Sequence, residues 1–172
     1  YVDVYRNIAN AMQMHGRYED AVSQLKAVVV LNLDDANFFL LLGQICRQTK
    51  QFPDAEKYLL RALSLDPLLS AASVSLGYVY LDQGRLQWAE STFQVLPESA
   101  QISPRGLFVR ARIDQYQHQF SAAIKTLKKL VLQKPQHISA HLLLARLYTL
   151  KGDSAAAKVI CVRMIGLTDV LT

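Results

Sequence analysis

Ala36–Leu69 reads ANFFLLLGQICRQTKQFPDAEKYLLRALSLDPLL, and the same run of residue types returns every 34 positions along the chain. Set beneath one another without insertion, Val2–Asp35, Ala36–Leu69, Ser70–Ser103, Pro104–His137 and Ile138–Leu171 form five windows that leave out only the first and last residues. A fixed period of this length marks a stacked repeat, in which each copy needs its neighbours to bury its apolar face. The windows therefore define one domain, residues 2–171.

The columns explain how each copy folds. Ala9, Gly43, Gly77, Ala111 and Ala145 align, and twelve places later so do Ala21, Ala55, Ala89, Ala123 and Ala157. Small side chains in both columns let the two backbones of a helical hairpin approach closely, where a leucine would force them apart. Between them lies a turn column of Gly16, Lys50, Gly84, His118 and Gly152, whose three glycines predict a left-handed backbone. Tyr18, Phe52, Leu86, Phe120 and Ser154 follow two places later, where the second helix begins. Bulky positions at helical spacing make the core stripe: Ile8, Leu42, Leu76 and Leu144 in the first helix, and Leu25, Leu59, Phe93, Leu127 and Cys161 in the second.

Composition agrees with an all-α chain. At 51% hydrophobic with seven glycines and five prolines in 172 residues, it is apolar enough to be ordered and poor in turn formers. Its uncharged runs fall short of the roughly 20 residues that cross a bilayer. The chain has no initiator Met and no basic-then-apolar leader, which reads as a chain processed or cut from something longer. A cytoplasmic setting is favoured. The net charge of +5, from 19 basic and 14 acidic residues, reads as an ordinary surface balance because the basic residues look scattered.

The phase of the columns resembles the tetratricopeptide repeat family, with its W-x2-L-G-x2-Y…A-x3-F…P pattern. Phe39-x2-Leu42-Gly43-x2-Cys46, Ala55-x3-Leu59 and Asp66-Pro67 carry the best copy, and Leu76-Gly77-x2-Tyr80 with Ala89-x3-Phe93 the next. The resemblance implies a right-handed α-solenoid of five helix–turn–helix repeats and a non-catalytic function in binding proteins. Two departures stand out. Arg110 and Asp114 fill slots that are apolar in the other repeats, so either that helix is rotated or the pair reaches a functional surface. Pro97 should end the second helix of the third repeat near Leu96, leaving Glu98–Ile102 as a loop before Ser103 caps a helix that begins at Pro104.

Catalysis needs a nucleophile or metal supported by acid and base groups, and no such set is evident. His137 and His141 are four apart, but one falls in the turn between repeats and the other in an aromatic slot. Asp114 and His118 are four apart, with His118 in the turn column. Cys46 and Cys161 fall in core columns of distant repeats, so both are expected to be buried, reduced and inert. No cofactor or metal is expected. Gly-rich phosphate loops are absent, since only Gly106 and Gly166 lack a repeat column.

In the resembled family the first helices line a concave wall. The matching positions here include Arg6 and Asn10, then Leu40, Gln44 and Arg47, then Val74 and Tyr78, then Phe108, Arg112 and Tyr116, and last Leu142 and Arg146. Apolar and aromatic residues with spaced arginines suit a protein or peptide ligand that has apolar anchors and acidic groups. A clamp for the acidic tail of heat-shock chaperones is incomplete. Arg6 and Asn10 match two of its positions, but Leu41, Ala71 and Ser75 replace its Asn, Lys and Arg. The expected role is an adaptor, scaffold or substrate chaperone, with secretion and pilus assembly among its settings. The alternatives are the regulatory repeat region of a larger enzyme and an RNA-binding helical array, for which pI 9.3 is the argument. Val159, Ile160, Val162 and Ile165 on the last helix call for a cover, which further repeats, a second copy of the chain or a bound partner would supply.

Overall fold

The computed structural model describes Val4, Asn7, residues 14–29 and residues 34–168. Ten helices and no strand occur among the described residues: α1 (Tyr18–Val29), α2 (Ala36–Gln48), α3 (Phe52–Leu65), α4 (Ser70–Asp82), α5 (Leu86–Gln94), α6 (Glu98–Gln101), α7 (Pro104–Tyr116), α8 (Phe120–Gln133), α9 (Ile138–Leu150) and α10 (Ser154–Thr168). The helices α2/α3, α4/α5, α7/α8 and α9/α10 are the repeating hairpins, and α1 is the second helix of the first repeat. The architecture is an all-α repeat solenoid. It divides into two compact units, Tyr1–Leu96 and Pro97–Thr172.

Turn chemistry sets the hairpins. Each second helix begins at the column of Tyr18, Phe52, Leu86, Phe120 and Ser154. The turn before it has positive φ at Gly16, Gly84 and Gly152, and also at Lys50 (60°) and His118 (59°). A left-handed residue reverses the chain in a few positions while its neighbours' amides close on the last helical carbonyls. The amide of Gln51, for instance, donates to the Cys46 carbonyl at 2.8 Å, and Gln119 repeats this with Asp114 at 2.8 Å.

The small columns do what their size allows. Ala55, Ala89, Ala111 and Ala123 are wholly buried between paired helices, and Ala21 is wholly buried on α1. At Gly43 a Cβ would stand 2.6 Å from Leu59 Cγ and 3.2 Å from the Ala55 carbonyl oxygen, so α2 and α3 meet backbone to side chain. Phe38, Leu42, Ile45, Leu59 and Leu81 fill the core of the first unit. In the second, Leu107, Ala111, Leu127, Leu130, Leu144 and Leu147 form one cluster.

Two expectations are corrected. Glu98–Ile102 is not a loop, because Pro97 (φ −61°, ψ 151°) starts a single helical turn, α6, against the start of α7. Proline lacks the amide to continue α5 but is well placed to begin a new turn. Ser103 then caps α7 by accepting from the Gly106 amide at 3.1 Å while donating to the Ala100 carbonyl at 2.6 Å. Cys161 is the second correction: it is exposed, not core. Its column is buried at Leu25, Leu59, Phe93 and Leu127, and no described helix follows α10 to do the same for Cys161.

Candidate protein-binding surface

Arg6 and Asn10 lie outside the described residues. The remaining candidates divide between the two units, and the units treat them differently.

In the first unit α2 and α4 close upon each other. Arg47 Nη1 meets Asp82 Oδ2 at 2.7 Å, and its guanidinium sits 5.0 Å from the centre of the Tyr78 ring. Gln44 Nε2 donates to Ser75 Oγ at 3.0 Å. Leu40 is half-buried, and Val74 is only 4% exposed. Val74 is therefore part of the core rather than the wall. Arg47 is not exposed either, because a partner one repeat on holds it in a half-buried ion pair. The same unit answers other cations with carboxylates: Lys26 Nζ lies 2.6 Å from Asp54, and Arg85 Nη1 2.7 Å from Glu56. Arg85 also lies over Tyr80 at 4.7 Å and Trp88 at 5.0 Å, and the Tyr80 hydroxyl donates to Glu56 at 3.1 Å. Burial, with the Glu56 charge behind it, pushes the Tyr80 phenol up to about 12.

In the second unit the α9 part of the equivalent face and Tyr116 are exposed, while Phe108 and Arg112 are half-buried. Phe108 is half-buried and stacks on His137 at 5.1 Å, which joins α7 to the cap of α9. Arg112 lies 5.8 Å from the Tyr116 ring centre, with its Nη2 3.4 Å from the Tyr116 hydroxyl. Tyr116 is 44% exposed, Leu142 56% and Leu150 55%, and Arg146 is exposed with them. A monomer that leaves such residues side by side on two helices leaves a surface for something else to cover.

The polar residues singled out for other chemistry have structural duties. Arg110 Nε and Asp114 Oδ1 meet at 2.8 Å, and Asp114 is buried, so the pair fills two apolar slots by mutual neutralisation rather than reaching a functional surface. His137 Nδ1 accepts from the Ala140 amide at 3.2 Å and caps α9, and desolvation lowers its pKa. The buried His141 pairs its Nε2 with the Pro135 carbonyl at 2.7 Å. Burial pushes the Cys46 thiol up to about 11. No group of three His, Cys, Asp or Glu poised for a metal occurs among the described residues, and no described helix is long and apolar enough to cross a membrane.

A property that sequence reading missed lies in the charge. Residues 1–96 hold eight basic and ten acidic side chains, whereas residues 97–172 hold eleven basic and four acidic. The basic residues are thus not scattered evenly. Counting charge along the repeats, rather than over the whole chain, reveals the division.

Helical hairpins of 34 residues, closed by left-handed turns and packed through alanine and glycine, define a class of interaction scaffolds. The tetratricopeptide repeat model matches residues 7–70, 51–104 and 108–157, and the chain belongs to the tetratricopeptide repeat family. No curated protein sequence matches it. Among solved structures it is similar to MamA, residue 41 to the end, from Desulfovibrio magneticus RS-1, at 21% identity and a TM-score of 0.73 over 98% of this chain and 96% of that one. It is also similar to a chain of the APC/C hetero-tetramer Cut9–Hcn1, with 17% identity and a TM-score of 0.82 over 98% of this chain and 34% of that one. A tetratricopeptide repeat protein from Parabacteroides merdae gives 15% identity and a TM-score of 0.78, over 96% and 64%. At these identities the likeness bears on fold alone.

Proposed function

We propose that the chain is a non-catalytic scaffold, one array of repeats over residues 2–171, that holds a segment of another protein against its first-helix face. The observation that carries this is the exposure of Tyr116, Leu142 and Leu150 beside Arg112 and Arg146 on α7 and α9. Family membership supports it, since stacked repeats of this kind present extended surfaces for binding. The first unit contributes less than the sequence suggested, because Arg47, Gln44 and Val74 are engaged within the fold.

Site-specific photo-crosslinking tests the reading. With a photoreactive phenylalanine analogue at Leu142 or Tyr116, the full chain should give a discrete adduct in its native cells. The same probe at Leu132, an exposed residue on the second-helix α8, should give none. Equal adducts from Leu132 would place the interaction on the other face and sink the proposal.

A further inference from the structure

The second unit repeats one arrangement. Phe108, Arg112 and Tyr116 stand four residues apart on α7, and one period later Leu142, Arg146 and Leu150 stand in the same columns of α9. Positions spaced by four share a helix face, so each helix presents an arginine between two apolar side chains. The corresponding columns of the first unit hold Leu40, Gln44 and Gln48, then Val74, Tyr78 and Asp82, which lack the pattern.

The charge around this pair of stripes is one-sided. α9 contains no acidic residue, and the one acidic residue of α7, Asp114, is buried against Arg110. No ion pair engages Arg146 among the described residues. Across residues 97–172 the eleven basic side chains face four acidic ones. In the first unit, by contrast, Arg17, Lys26, Arg47, Arg61 and Arg85 each meet a carboxylate.

We infer that the α7/α9 face binds an acidic peptide segment whose carboxylates alternate with apolar side chains, an inference that rests on the scaffold reading above. A guanidinium presents a planar fork that matches a carboxylate with two parallel hydrogen bonds. Arg112 and Arg146 stand one period apart on α7 and α9, so together they suit two separated acidic residues of one ligand segment. Peptide is favoured over nucleic acid because the α9 stripe is aliphatic and Phe108 already stacks on His137, so the face lacks a row of aromatic planes for successive bases.

The test is selection of random peptides of about ten residues, displayed on phage, against the immobilised full chain, a length that covers both stripes in extended form. The expected result is enrichment of peptides with spaced acidic residues flanked by apolar ones. Arg112→Glu/Arg146→Glu should cut their recovery at least about tenfold, and Lys125→Glu/Lys129→Glu on α8 should leave it unchanged. Arg146→Gln is the mild variant should the double charge reversal disturb folding, and it should weaken the same peptides with unchanged circular dichroism. Enrichment of peptides without acidic bias, lost on Leu142→Ser/Leu150→Ser, would overturn the acidic ligand while leaving the peptide surface standing. Sensitivity to the lysine pair instead would overturn the location. Displacement of selected peptides by a single-stranded RNA whose binding depends on Arg112 and Arg146 would reassign the surface to nucleic acid. No enrichment at all would overturn the scaffold reading with it.

Discussion

Arg47 on α2 and Asp82 on α4 form a half-buried ion pair at 2.7 Å that ties one repeat to the next. Their side chains are 26% and 21% exposed, so water screens the pair only in part. Arg47→Glu sets two carboxylates against each other and removes the cation stacked on Tyr78. We expect a loss of about 1–2 kcal/mol in urea denaturation, with Asp82→Arg restoring part of it in the double variant. A stability unchanged by Arg47→Glu would mean that the pair contributes nothing.

Lys50 and His118 adopt φ near 60°, a conformation that glycine fills in the other three turns. A side chain there strains the backbone, and glycine relieves the strain at the expense of a more flexible unfolded chain. Lys50→Gly should be neutral or stabilising by at most about 1 kcal/mol, measured by thermal and urea unfolding. A clear destabilisation would show that the Lys50 side chain matters in its own right.

Ala89 has no exposed surface between α4 and α5. Ala89→Leu should therefore cost about 1–3 kcal/mol through overpacking. Gly106 is tighter still: a Cβ would collide with the Ala100 carbonyl oxygen and stand 2.7 Å from that of Gln101. Backbone cannot swing aside as a side chain can, so Gly106→Ala should cost at least as much and separate α6 from α7. Crystal structures or amide exchange of the two variants would localise the damage, and an undisturbed α6 in Gly106→Ala would contradict this packing.

The two thiols should behave in opposite ways. Cys161 is exposed and Cys46 buried, so a thiol reagent at neutral pH should modify one residue in the native chain and two after denaturation. Burial raises Cys46 from 9.0 to about 11 and Tyr80 from 10.0 to about 12. Between the ordinary and raised values the unfolded chain binds fewer protons than the folded one, so stability is complete below pH 9 and falls as pH rises toward 12. Cys46→Ser should shift the onset of that fall upward in denaturation series from pH 8 to 11 (about the window of the thiol).

The fold was legible because its causes are local and repeated. Alanine at residues 21, 55, 89, 123 and 157 fixes the phase of the hairpins, and the turn residue two places before each second helix fixes its start. The surface was less legible. Whether an arginine in a wall column is paired depends on what stands about one period away, as Arg47 finds Asp82, and the column by itself does not contain that partner. Pairs such as Lys26–Asp54 and Glu56–Arg85, separated by somewhat less than a period, leave a complementarity in the sequence that a search by columns alone does not examine. The expected burial of Cys161 failed for a related reason, since a residue in a core column is covered by what surrounds it and no described helix follows α10. Gly106 had no column because its constraint comes from α6, a turn outside the repeat pattern.

The uneven charge would also govern how the proposed acidic segment arrives. At physiological salt an exposed charge is felt for about 8 Å, so eleven cations with four anions give residues 97–172 a local field that draws acidic molecules in before any contact forms. Ionic strength should act chiefly on the speed of encounter, while the leucines and aromatic rings of α7 and α9 set how long a captured segment stays. Capture by this protein would then be quick in dilute buffer and slow in brine, with much the same lifetime in both.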